Sequence, residues 1–263
     1  MNISRISVTR QGLVFSLLFL IVLLSGCASF RDAKIKKEKA SEAGYKLGIA
    51  YLNSTPPELQ KAFIEFLKAI ESNPNNKEAH YAIGHIYAQR EDYPNAILSF
   101  KKTLAIDPND SATYNYLGKM YELSKNDAEA ILSYQSALKN LQYETPQYPY
   151  WNLAMIYLKQ KQYDKGLHAL MEVRRLQPTN AVVLDQIAQT YLQTGETEKA
   201  LSFLKSAVSS EPDNHITHFR LAAFYLEKGP KSLATEPLKK VVALAPESTE
   251  AEAAKKHLES FVQ

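Results

Sequence analysis

The chain has 263 residues, 45% apolar and 22% charged, which is enough to bury a substantial core in one or two domains. Its net charge of +3 falls to about +1 once residues 1–26, with two arginines and no acids, are set aside; that excludes the clustered basic footprint of a nucleic-acid binder. The single cysteine, Cys27, excludes an intrachain disulfide and a cysteine-rich zinc site, while 16 tyrosines against 9 glycines lean towards helix.

The first thirty residues read as a processing signal. Arg5 and Arg10 supply a positive start, and Leu13 to Leu24 is apolar apart from Ser16. A run of this length is short of the ~20 residues that span a bilayer as a helix, and matches the apolar core of a signal peptide. Leu24-Ser25-Gly26-Cys27 comes directly after it and resembles a lipobox, the cleavage motif of bacterial lipoproteins. Small residues allow an extended backbone into the peptidase, and the Cys27 thiol is the atom that accepts diacylglycerol. The resemblance implies a signal peptide over residues 1–26, a lipidated Cys27, and membrane attachment through that lipid. Ala28 stands where an aspartate would act as an inner-membrane retention signal, so the expected destination is the outer membrane, facing the periplasm. Residues 27–40 are expected to form the lipidated cysteine and a short charged tether running towards the first helix.

Beyond the tether the sequence repeats itself. Pro74 and Pro108 are 34 residues apart, as are Pro178, Pro212 and Pro246 in succession, and the interval from Pro108 to Pro178 is two periods plus two residues. In register with the prolines come Ile83-Gly84-x2-Tyr87, Leu117-Gly118-x2-Tyr121, Leu153-Ala154-x2-Tyr157, Ile187-Ala188-x2-Tyr191 and Leu221-Ala222-x2-Tyr225. Nine residues beyond each tyrosine is a small residue (Ala96, Ala130, Gly166, Ala200, Ala234), and four further on a large one (Phe100, Tyr134, Leu170, Leu204, Leu238). Apolar positions at helical spacing, a small residue permitting close approach and a large one filling the next gap describe paired helices. Asp107-Pro108-Asn109-Asp110 and Glu211-Pro212-Asp213-Asn214 stop one helix and cap the next.

This pattern resembles the tetratricopeptide repeat, a helix–turn–helix unit of about 34 residues. The resemblance implies an all-α superhelical solenoid: six repeats over residues 41–247, and a capping helix over 248–263 that closes the end of the array. Two irregularities interrupt it. Pro237 is expected to bend or unwind the second helix of repeat six. The join before repeat four, Gln142-Tyr143-Glu144-Thr145-Pro146-Gln147-Tyr148-Pro149-Tyr150-Trp151, lacks the terminal proline. On the family pattern the first helix of each repeat faces the concave groove. The positions that carry over are Tyr81 and His85 with Gln89; Asn115 and Lys119 with Glu122; Tyr148, Trp151 and Met155 with Leu158; Asp185, Gln189 and Leu192; and Phe219 with Ala223 and Leu226. Aromatic residues and methionine are enriched where protein partners bind. Each of Trp151, Met155 and Phe219 can instead be explained as packing between helices.

The six histidines, His80, His85, His168, His215, His218 and His257, form no recognisable ligand set. There is no phosphate-binding glycine loop and no nucleophile elbow. The expectation is a protein-binding scaffold, not an enzyme, with no cofactor, metal, nucleic acid or small-molecule substrate. Within lipid-anchored repeat proteins the chain is most similar to the pilotin family of type IV pilus biogenesis, which shares a Tyr/Pro interruption before repeat four. That resemblance implies an adaptor assisting the localisation or assembly of a secretin. An adaptor of another envelope machine, such as exopolysaccharide export or outer-membrane protein assembly, and a subunit of a cell-wall enzyme complex are the other readings.

Overall fold

The computed structural model describes the backbone of residues 10–261 and the side chains of residues 31–261. The signal peptide, the lipobox and the Cys27 thiol lie outside the described side chains. Among the described residues there are helices and no strands. The helices are α1 (Arg10–Leu52), α2 (Leu59–Ser72), α3 (Lys77–Gln89), α4 (Tyr93–Ile106), α5 (Ser111–Leu123), α6 (Asp127–Ala137) and α7 (Gln147–Lys159). They continue with α8 (Tyr163–Leu176), α9 (Ala181–Thr194), α10 (Thr197–Ser210), α11 (His215–Glu227), α12 (Thr235–Leu244) and α13 (Thr249–Ser260). Two compact units result, Met1–Pro108 and Asn109–Gln263. In the first, α1 packs on α2 and α3 on α4; in the second, α5 pairs with α6, α7 with α8, α9 with α10 and α11 with α12, while α13 covers α12.

The turns are built from the residues that set the period. Asn76, Asp110, Asn180 and Asn214 each accept, through their side chains, a backbone N–H of the next helix. Such a cap satisfies a donor that the helix itself leaves unpaired, and contributes about 1 kcal/mol. His80 and His218 are buried at the same register, and each places Nε2 within 2.9 Å and 2.8 Å of the carbonyl oxygen of Pro74 and Pro212. Their role is to hold the turn. At the other turn of the hairpin Glu91, Lys125, Lys161 and Gly195 all adopt the left-handed conformation, with φ between 58° and 82°.

Each hairpin closes on one small–large contact. Gly48 lies against the Phe66 ring, Gly84 against Phe100 and Gly118 against Tyr134. A Cβ at Gly84 would come within 2.7 Å of Phe100 Cε1, and one at Gly118 within 2.6 Å of Tyr134 Cε1. The last three hairpins carry alanine at the glycine position and leucine at the aromatic one: Ala154 and Leu170, Ala188 and Leu204, Ala222 and Leu238, all buried. The first helix gains a methyl group where the second loses its ring, and the interior stays filled.

The structure sharpens two expectations. The charged tether is helical where it is described: residues 31–40 are a continuation of α1, exposed along their whole length. Alanine, lysine and glutamate favour helix intrinsically, and Lys34 and Glu38 pair at i,i+4 across 3.9 Å. Pro237 does not bend the middle of a helix. It sits in the first turn of α12, where a missing N–H costs no hydrogen bond, and the unwinding falls one turn earlier, as a 3-10 segment at Lys231–Ala234.

The paired volumes give a direct test. Gly84→Ala should destabilise the protein by about 1–3 kcal/mol through overpacking against Phe100, despite the better helix propensity of alanine. The double variant Gly84→Ala with Phe100→Leu, which copies the later hairpins, should recover most of that loss in urea unfolding. Equal losses in the single and double variants would show that the contact is not the constraint.

Candidate protein-binding groove

The first helices of the repeats carry the residues that the family pattern assigns to a groove, and the two units use them differently. In the first unit Tyr81 and His85 are one turn apart on α3, with ring centroids 4.5 Å apart, and both rings meet Phe100 edge-on at 5.9 Å and 5.3 Å. They flank Gly84 and shield the ring that Gly84 admits, so both are half-buried packing residues. Burial pushes the His85 imidazole below its ordinary pKa, which keeps it neutral.

In the second unit Asn115, Lys119 and Glu122 form a polar group on α5. Asn152 Nδ2 donates to Asn115 Oδ1 at 3.4 Å, linking α7 to α5. Lys119 donates to one oxygen of Glu122 at 3.1 Å, and the buried Tyr134 hydroxyl donates to the other at 2.9 Å. Burial, reinforced by the Glu122 carboxylate, pushes the Tyr134 phenol far up, so it remains a donor at any physiological pH. Lys119 and Glu122 are therefore tied to the core of their own hairpin.

The Tyr/Pro interruption reshapes the join between the third and fourth hairpins. The helix α6 has 11 residues, against 14 in each of α4, α8 and α10, and the chain from Leu138 to Pro146 forms the connection instead. Leu141 in that connection is 97% exposed. Tyr143 folds inward: burial pushes its phenol up, and Tyr116, Asp110 and Tyr148 lie near enough to add to the shift. Pro146 takes the place of the capping residue at the start of α7 and makes no side-chain cap.

Next to this connection lies a cleft of about 400 Å³, lined by Gln147, Tyr148 and Trp151 of α7, Val173 and Gln177 at the end of α8, and Asn180, Val182 and Val183 at the start of α9. No charged side chain lines it. Tyr148 is 56% exposed and Val182 62% exposed, so two sizeable apolar groups stand at its mouth. Trp151 is half-buried: part of it packs on the core formed by Leu153, Ile156, Leu170 and Val173, and part lines the cleft. Of the residues expected in the groove, the cleft brings together Tyr148 and Trp151. Met155 and Leu158 pack against the same core, and Phe219 against the core of the last hairpin. Gln189 lies elsewhere, in a polar depression of about 320 Å³ with Lys159, Lys161, Tyr163 and Gln193. Asp185, on α9, is 3.6 Å from Arg220, and burial pushes its carboxyl up against the pull of that guanidinium. Its Oδ1 atom is buried without a hydrogen-bond partner.

Sequence reasoning missed the second wall of the cleft, Gln177, Asn180, Val182 and Val183. The available signal was Val182, an apolar residue beside two core positions, Ala181 and Val183, where it has to point outward. A second cleft of about 460 Å³ lies between α6 and α8, floored by Tyr150, Leu153 and Tyr157 of α7; Asp164, Lys165 and His168 make it partly charged. Among the described residues no three His, Cys, Asp or Glu side chains are placed to hold a metal ion.

Protonation of His85 must oppose its burial. Its folded pKa is lowered, so the unfolded chain binds the extra proton first and stability falls as the pH drops below about 6.5, the ordinary histidine value. The variant His85→Phe keeps a ring on Phe100 and should show a shallower loss of stability between pH 7 and pH 5 in urea unfolding. An unchanged slope would remove His85 from that account.

Known proteins agree with this architecture. Tetratricopeptide-repeat family models match residues 78–110 and 148–210. No curated protein matches the sequence. The structure is similar to that of PilF from Pseudomonas aeruginosa, with a TM-score of 0.64 and 19% identity over 84% of this chain and 99% of that one. It is also similar to PilW, described as a widely conserved type IV pilus biogenesis factor, with a TM-score of 0.61 and 21% identity over 85% of this chain and 98% of that one. A third likeness is to YrrB, a tetratricopeptide-repeat protein with an unusual peptide-binding site, at a TM-score of 0.58 and 21% identity over 73% and 97% of the two chains. At these identities the likeness is one of fold. The caps, the hairpin contacts and the matched family models lead to the same conclusion: the described helices form an array of tetratricopeptide repeats, a scaffold similar in structure to PilF and PilW.

Proposed function

We propose that the chain is a lipid-anchored adaptor that holds a protein partner for type IV pilus assembly, with a pilus secretin as the partner. The observation that carries the binding role is the uncharged apolar cleft between α7 and α9, with Tyr148 and Val182 standing exposed at its mouth. Monomeric surfaces rarely leave grouped apolar side chains in water unless a partner covers them. A half-buried tryptophan with its indole on the core is held rigidly, which is how an interface anchor loses little entropy on binding. The assignment to pilus assembly is supported by structural similarity over nearly the whole length of PilF and PilW, and by the Tyr/Pro interruption that forms one edge of the cleft. The anchor is the acylated Cys27, which becomes the first residue once residues 1–26 are removed, and the destination is the periplasmic face of the outer membrane. More than one acyl chain holds a protein stably at a membrane. The scaffold acts by placing its partner; no chemical step is assigned to it.

Trp151→Ala should weaken capture of the secretin from detergent-solubilised membranes by about tenfold or more, the size of an interface anchor's loss, with helicity kept. Undiminished capture would remove the cleft as the binding site, and capture of no secretin by the parent protein would remove the pilus assignment. Cys27→Ala should leave a precursor of higher mass that no longer fractionates with the outer membrane. Normal fractionation of that variant would contradict the lipid anchor.

A further inference from the structure

The charge of the chain is divided unevenly along its length. Residues 31–40 hold five cations, Arg31, Lys34, Lys36, Lys37 and Lys39, against Asp32 and Glu38, a net +3 in ten residues. Residues 41–263 hold 24 basic and 26 acidic side chains, a net −2. All ten side chains of the basic segment are exposed. It projects past the point where Ser41 Oγ donates to Ala69 O and accepts from Asn76 Nδ2, the bonds that tie α1 to its hairpin. The Lys34–Glu38 pair is long at 3.9 Å and exposed, so it does little to neutralise the segment. Glu38 borders a shallow depression with Asn73, Asn75 and Asn76, while the chain's excess of positive charge is concentrated in the exposed cations of this stretch.

We propose that residues 31–40 are a second membrane contact, seated on anionic phospholipid headgroups beside the acylated cysteine. The proximity to the bilayer rests on the lipid-anchor reading of Cys27. Charge complementarity selects the surface: clustered Lys and Arg next to a membrane anchor are drawn to anionic headgroups over the span of a Debye length, ~8 Å at physiological ionic strength. The remainder of the chain, near neutral at net −2 over residues 41–263, has no comparable attraction to that surface. Ile35, exposed among the cations, adds an apolar side chain that can enter the interface.

The test uses the chain purified from membranes and reconstituted into vesicles of phosphatidylcholine alone or mixed with phosphatidylglycerol. Tryptic cleavage after Arg31 and Lys34 is followed by mass spectrometry. Cleavage should be slower by about tenfold on the anionic vesicles, in keeping with several cations near a charged surface. High salt should abolish the difference. The variant Lys36→Gln/Lys37→Gln/Lys39→Gln, which keeps both cleavage sites, should lose most of it. Equal rates on the two vesicle types would overturn the proposal. The same spectra report whether Cys27 is acylated. An unacylated chain that is still protected on anionic vesicles alone would sink the lipid anchor and leave the headgroup contact standing.

Discussion

The architecture depends on a steric constraint inside each hairpin: two helices can approach only as closely as one residue on the first and its large neighbour on the second allow. Where the first is glycine the second is an aromatic ring, and where the first is alanine the second is leucine. The pair keeps its combined size and not its identity, as expected for an interior packed to crystal-like density. This contact sets the spacing within a repeat, and with it where the flanking positions on the first helix end up. Tyr81 and His85 are drawn onto Phe100 because they straddle Gly84. In the fourth hairpin a leucine replaces the ring, and Trp151 is left to divide itself between core and cleft.

The join just before the fourth hairpin is also where the period slips. A connection of nine residues replaces the last turn of α6, and α7 consequently has open space on both sides. Its Trp151 side meets α9 across a cleft lined by valines and amides, whereas its Tyr150 side meets α8 across one that contains Asp164, Lys165 and His168. The uncharged cleft can take an apolar anchor without stranding an ion in a dry place, where an unpaired charge is costly. That difference, more than volume, is why it is the better candidate for a partner.

Much of the fold is legible in the sequence because the repeat prints the same physical problem several times. The prolines, the capping Asn and Asp residues and the small–large pairs each recur at the same register, and each has a local cause. The groove is legible only in part. Tyr148 and Trp151 can be placed by position on a first helix, but Val182 and Val183 belong to the next repeat and meet them through packing across 34 residues of chain. Nothing local in α9 announces that neighbour. His85 is at a groove position by register and also meets Phe100, because register places a side chain on a face without saying what else has reached that face. Residues 31–40 read as a charged tether, and their helical form follows from lysine, glutamate and alanine being good helix formers with or without a packing partner.

That the link before the repeats is helical also settles a length. Ten residues of extended chain reach at most about 33–36 Å, and the same ten in an α-helix rise about 15 Å. A flexible leash would let the first hairpin wander through a hemisphere of that larger radius. A helical segment instead fixes the separation between its start and the first hairpin at about 15 Å and adds no swivel along residues 31–40. Laid along a membrane surface, it would act as a rigid spacer that keeps the hairpin of α1 and α2 within that one short radius of the anchor.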